Sequence, residues 1–202
     1  MGLPPTLNRL IAAFKTLPGV GTRTAERLAF HLLRAPDVEA RELAAALVAL
    51  RETAVACSQC HNVAEQDPCP ICADPRRDPT RLLVVEQPRD VAAFEEAGWS
   101  ARYHVLLGHI NALEGIEAGH LTIDGLLERL QRSPEVREVV IATNPDYEGD
   151  ATALHIRRRL AERGVLVTRI ARGIASGSAI EYSNAAMLAD ALSGRASLDE
   201  LT

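Results

Sequence analysis

Four cysteines, Cys57, Cys60, Cys69 and Cys72, stand as two C-x-x-C pairs eight residues apart, and the chain has no others. Each pair turns two thiols toward one point, and two pairs complete the sulfur tetrahedron that Zn2+ takes in closed structural sites. Iron suits the same ligands. His61, beside Cys60, is a further nitrogen ligand that four thiolates make redundant. The competing use is disulfide pairing, but the N-terminus lacks the basic-then-apolar layout of a secretory signal. A cytoplasmic chain is expected, and stable disulfides are rare there. A closed four-sulfur centre has no open coordination position, so it stabilises without doing chemistry.

A second set of residues is acidic. Glu86 follows the apolar run 82–85, and Asn144-Pro-Asp146-Tyr-Glu148-Gly-Asp150 follows the run 139–142. If both runs are parallel strands, these groups lie at their carboxyl ends, where open α/β sheets place ligands. Glu86, Asp146, Glu148 and Asp150 would then converge on a hard cation such as Mg2+, which would link them to phosphate chemistry. The plainer alternative is that each caps or flanks the following helix, as Asp150 would at the start of 151–163. His104 and His109 lie nearby and read either as supports for this site or as structural residues.

The third set is basic. Leu17-Pro-Gly19-Val-Gly21 separates two helical patterns, and a Gly-hydrophobe-Gly turn between short helices makes a helix-hairpin-helix. Glycines there admit a phosphate close to the backbone, and the free N–H groups of the second helix attract an anion. At about 100° per residue, Arg23, Arg27 and Arg34 fall within about 40° of one another, opposite Ala25, Leu28 and Leu32. Phosphate contact is expected of this face, with single- and double-stranded nucleic-acid backbones equally open. Phe30 falls among the arginines and reads as a packing residue or a stacking one.

The elements that must position these groups are legible in outline. The 202 residues are 47% hydrophobic, with no apolar stretch of membrane-spanning length. The formal charge is −5, yet residues 1–34 carry five cations against Glu26 alone. That +4 end is a candidate contact surface. Leu7, Leu10, Ile11, Phe14 and Leu17 trace a first amphipathic helix ended by Pro18-Gly19, Thr22 is a plausible N-cap for a second, and residues 37–56 suit a third. Residues 74–79 read as a linker. Beyond it, the apolar runs 82–85, 105–107, 139–142 and 165–170 alternate with helical segments. The rhythm predicts a largely parallel sheet covered on both faces, hence an α/β multidomain chain.

Taken in order, these motifs resemble the RecR recombination mediator family over essentially the whole chain. The likeness rests on LPGVGTRTAERLAFHLL at 17–33, the four cysteines, LLVVE at 82–86, LLGHINALEGI at 106–116, ATNPDYEGDATA at 142–153 and IASGSAIEY at 174–182. The resemblance implies a helix-hairpin-helix DNA-binding domain (1–56), a four-cysteine zinc finger with its linker (57–79), a Toprim domain (80–172) and a Walker B-like C-terminal segment with an oligomerisation tail (173–202). It implies a non-enzymatic role in recombinational DNA repair, acting with RecO and RecF to load RecA on single-stranded DNA coated by single-strand-binding protein. Ring-like homo-oligomers and a bacterial, nucleoid-associated location are implied too. Arg23 and Arg27 fall where the family's DNA-contacting basic residues lie, beside Gly19 and Gly21. Catalytic Toprim enzymes use a glutamate and an Asp-x-Asp, which align with Glu86, Asn144 and Asp146. Asn144 removes one charge from that set and argues against Mg2+ chemistry, leaving RecO docking as the expected use of the loop. The competing function is a Mg2+-dependent Toprim nuclease or topoisomerase.

Overall fold

The computed structural model describes residues 2–195 and 197. The chain divides into two compact units, one ending at Ala54 and the other beginning at Val55.

The first unit is helical: α1 (Pro5–Lys15), α2 (Thr22–Arg34) and α3 (Asp37–Thr53). Leu7 and Ile11 of α1 meet Ala25 and Ala29 of α2 in a small core, against which Leu10, Phe14, Val20 and Phe30 pack. The alanines let the helices approach closely, and Phe30 takes the packing role. α3 buries no residue; Leu43, Leu47 and Leu50 on it are exposed. An apolar groove of about 500 Å3 runs past Leu10, Phe14, Leu17, Leu33, Leu43 and Leu47.

The second unit opens with the cysteine knuckles, built on the short antiparallel pair β1 (Val55–Ala56) and β2 (Val63–Ala64) and the turn of helix α4 (Pro70–Ala73). There follow β3 (Asp78–Val85), α5 (Pro88–Glu96), β4 (Ala101–Val105), α6 (Ile123–Arg132), β5 (Glu138–Ala142), α7 (Tyr147–Leu160), β6 (Leu166–Arg169) and α8 (Ala185–Ser193). The four long strands form one sheet in the order β4-β3-β5-β6, every pair parallel.

Alternation along β3 explains the two covered faces. Leu82 and Val84, with Val139 and Ile141 of β5, bury against Leu126, Leu127 and Leu130 of α6 and Ile156 and Leu160 of α7. Leu83 and Val85 point the other way, toward Val91 and Phe94 of α5, Trp99 and Ile71. One β3 residue therefore feeds each core in turn, as a strand covered on both sides requires.

Three boundaries differ from expectation. The helix α2 begins at Thr22 with Gly21 as N-cap, so no side chain closes its first turn. The strand expected at 105–107 lies at Ala101–Val105 instead, because Leu107 takes φ +64° and turns the chain out of the sheet. The linker at 74–79 is fastened: Arg77 donates to Glu95 and to the carbonyls of Trp99 (3.0 Å) and Ala101 (3.3 Å), and β3 already begins at Asp78. The family-like tail carries a 3-10 turn at Ile180–Tyr182 and α8, with Ile180, Tyr182 and Leu192 exposed; residues 196 and 198–202 of the expected oligomerisation tail lie outside the described residues.

Candidate functional site

The hairpin turn holds Gly19 at φ +76°, the left-handed region that a side chain would strain, and a Cβ there would meet nothing within 4 Å. The first turn of α2 carries no acidic residue and no side-chain cap, so its leading N–H groups keep their hydrogen-bonding capacity. Arg23, Arg27 and Arg34 are exposed on the face opposite buried Ala25 and Ala29. None pairs with a carboxylate among the described residues. Arg23 and Arg27 stand near the open N–H donors and Arg34 extends the same face to the far end of the helix, about 18 Å on, so the face is suited to phosphates along a strand.

The four cysteine sulfurs lie within 4.8 Å of one another, and all four residues are buried. Cys60 and Cys69 sulfurs stand 3.6 Å apart. The Cys69 N–H donates to Cys57 Sγ at 3.3 Å and the Cys72 N–H to Cys69 Sγ at 3.4 Å, contacts that favour thiolates. Hydrogen bonding from Cys60, aided by the charge of Arg129, draws the Cys72 thiol down to about 6 against the cost of its burial, while burial pushes Cys69 up to about 11. Giving its proton toward Cys72 pushes Cys60 upward. Four convergent sulfurs with no carboxylate or imidazole among them fit a closed tetrahedral zinc ion. His61 is no ligand: its ring meets His104 edge-on at 5.1 Å and abuts Gly125 of α6, where a Cβ would come within 2.7 Å of Nε2.

The knuckles are docked on the sheet. The Val105 N–H, on the free side of edge strand β4, donates to the Cys60 carbonyl at 2.8 Å. His104 on the same strand is fully buried, with Nε2 against Thr122 O (2.9 Å) and Oγ1 (3.0 Å). Since Thr122 Oγ1 donates to Val105 O, the ring proton sits on Nε2, and Nδ1 has no partner among the described residues. Burial first, then the charge of Arg129 and the neighbouring His61, lowers His104 to about 3. The unfolded chain therefore binds more protons than the native one between pH 6.5 and about 3, so stability rises with pH across that window. Acidification below about pH 6.5 is expected to cost up to about 1.4 kcal/mol per pH unit through this group, and His104→Gln should flatten that slope in thermal melts from about pH 7 to about pH 4.5.

The acidic residues do not gather as expected. Glu86, 2% exposed, accepts the Asn144 backbone N–H on Oε1 and the Asn144 side-chain amide on Oε2, both at 2.8 Å, with His109 Nδ1 3.1 Å from Oε2. Asp146 is the N-cap of α7, accepting from the Gly149 N–H at 2.8 Å. Asp150 is paired with Arg172 and Arg169, which hold its carboxyl below the usual range. Glu148 is half-buried in the first turn of α7. Among the described residues the cysteines are the sole group of three or more such ligands with converging donor atoms. The physical reason is Asn144, whose amide and backbone take up both oxygens of Glu86. His109 belongs to this cluster, whereas His104 belongs with the knuckles.

Two loops are thereby tied to one carboxylate. Residues 107–117 carry His109, and their Ile110 N–H donates to Thr152 Oγ1 of α7 at 2.9 Å; residues 144–150 carry Asn144. The first of these segments presents Leu113, 95% exposed, and the second Tyr147, 84% exposed, between Asp146 and Glu148 in sequence. Asn144→Asp would set a second carboxylate against Glu86. Such a pair shares a raised pKa, so the penalty is larger at about pH 8 than at about pH 5, about 2 kcal/mol at the higher value, read as a difference in Tm at the two pH values.

Arg129 escaped the sequence reading. It sits among Leu126, Leu127 and Leu130 on the buried face of α6, and an arginine in an apolar helical stripe was the available signal.

Family models match three consecutive parts of the chain: a RecR helix-hairpin-helix over residues 7–51, a RecR four-cysteine zinc finger domain over 55–74 and a Toprim domain over 80–171. Among curated proteins, the recombination protein RecR of Rhodopirellula baltica is 50% identical over 187 residues, 92% of this chain and 94% of its own. The protein of the same name from Moorella thermoacetica is 45% identical over 98% of this chain and 100% of its own. That of Roseiflexus castenholzii is 47% identical over 96% and 94%.

Proposed function

The chain belongs to the RecR family of recombination proteins, and from that premise we propose that it is a non-enzymatic DNA-binding mediator that acts with RecO, and with RecF, to load RecA on single-stranded DNA covered by single-strand-binding protein. The observation that carries this reading is the unpaired arginine face of α2 beside the uncapped hairpin turn. Arg23, Arg27 and Arg34 contact phosphates, Gly19 and Gly21 let the strand approach, and binding is sequence-indifferent and salt-sensitive. One such hairpin binds weakly. A ring of identical subunits multiplies the contacts through effective concentration, and a second copy of the chain is the proposed cover of the apolar groove lined by Leu10, Phe14, Leu43 and Leu47.

Zinc in the Cys57, Cys60, Cys69 and Cys72 centre is structural. The face formed by residues 107–117 and 144–150 is a protein-docking surface, with RecO its partner: charged Asp146 and Glu148 steer a basic surface, and Leu113 and Tyr147 supply apolar contacts. Asp146→Asn keeps the cap and removes the charge; it is expected to weaken RecO binding about fivefold, and Asp146→Lys about 30-fold, by calorimetric titration. Wild-type affinity in both variants would remove RecO from this face.

The whole reading is tested by following RecA filament growth on single-stranded DNA precoated with single-strand-binding protein. Faster growth only when both this chain and RecO are present is the expected result. Failure to accelerate RecA, or Mg2+-dependent cleavage of the DNA by the chain alone, would overturn it.

A further inference from the structure

Arg129 poses an electrostatic problem. It is 8% exposed on the core-facing side of α6, and no carboxylate among the described residues pairs with it. Its Nη1 donates to the Tyr103 carbonyl of β4, and its Nη2 lies 4.0 Å from Cys72 Sγ. The cleft of about 460 Å3 at this junction is lined by Arg102, Arg129 and Arg132 with Glu128 its one carboxylate, and Glu128 is paired with Arg132. Arg102 in turn takes Glu135, at 3.8 Å. The rings that face Arg129, His61 and His104, are held neutral by burial and by its charge. A guanidinium keeps its charge at every accessible pH, and a buried charge without a counter-charge is strongly destabilising.

Four thiolates around one divalent ion carry a net charge of about −2, which is the missing counter-charge. We propose that Arg129 is the outer counter-cation of the tetrathiolate zinc centre, and that zinc occupancy thereby holds α6 and β4 in place as well as the knuckles. Arg129 is a positioning residue: it touches a ligand sulfur and the strand that carries the Cys60 contact, never the metal. Loss of zinc breaks up the anionic cluster that faces the cation of α6, whose Nη2 stands 4.0 Å from Cys72 Sγ, and so loosens α6 against β4. The sheet then senses the metal through one side chain. This inference rests on the zinc reading of the cysteine cluster.

The test is the zinc dissociation constant of the full chain, measured by competition with a chromogenic chelator, for wild type, Arg129→Met and Arg129→Lys. Arg129→Met is expected to bind zinc about 10- to 100-fold more weakly, in the range typical of outer-shell partners, with Arg129→Lys close to wild type. Unchanged affinity in Arg129→Met, or an equal loss in Arg129→Lys, would overturn the counter-cation role while leaving the zinc reading intact. A wild-type chain that binds no zinc would remove both. Hydrogen exchange on the wild type covers the case of a variant that does not fold. Chelation should accelerate exchange in Ile123–Arg132 and Ala101–Val105, whereas acceleration confined to 55–74 would show that zinc serves the knuckles alone.

Discussion

Replacing Arg23 and Arg27 together with glutamate is expected to lower affinity for both single-stranded and duplex DNA about 100-fold, near 3 kcal/mol, as two charge-assisted phosphate contacts become two repulsions. The salt dependence carries the sharper signature. Each phosphate neutralised contributes about 0.7 (single strand) to 0.9 (duplex) to the slope of log K against log salt, so the double variant should lose roughly 1.4 to 1.8 from that slope. Both side chains are exposed, and the α1–α2 core is formed by Leu7, Ile11, Ala25 and Ala29, so the fold has no reason to respond. Filter binding or fluorescence anisotropy from low to physiological salt, beside a circular dichroism melt, separates the outcomes. An unchanged slope would mean that the phosphates meet another surface.

The second large effect concerns the cysteines. Cys60→Ser should remove bound zinc, read by elemental analysis, and lower the melting temperature of the second unit. Structural zinc sites contribute on the order of 10 kcal/mol in isolated fingers; with the knuckle also held by the Val105–Cys60 hydrogen bond and the ring of His61, a loss of about 5 kcal/mol is expected here. For a unit of this size that corresponds to about 10 to 20 °C. Serine keeps the backbone contact and much of the volume, so the loss reports the sulfur. A zinc-free variant that melts at the wild-type temperature would show that the sheet supports the knuckles instead of depending on them.

Some of this was legible in the residues because the cause was local. The helical hairpin follows from an unbroken 3.6-residue apolar period ended by Pro18-Gly19, and the metal centre from spacing alone. Strand β4 was misplaced because Arg102, Tyr103 and His104 interrupt its apolar pattern, and the burial of the last two is licensed by distant groups: Glu95 for the Tyr103 hydroxyl, Thr122 for His104. The acidic loop misled for the same reason. A sequence shows that Asp150 is charged but not that Arg169 and Arg172, 19 and 22 residues on, already hold it. Asn144 did carry a local message, and its amide is what occupies Glu86.

The bond between Asn144 and Pro145 has a bearing on how the protein ages. Asparagines deamidate chiefly through a cyclic imide, which forms when the next residue's backbone N–H attacks the side-chain amide. Pro145 has no such N–H. That route is closed at the one amide whose conversion would set a carboxylate against Glu86, so the clasp joining the two surface loops is shielded from the chief pathway by which asparagines are lost.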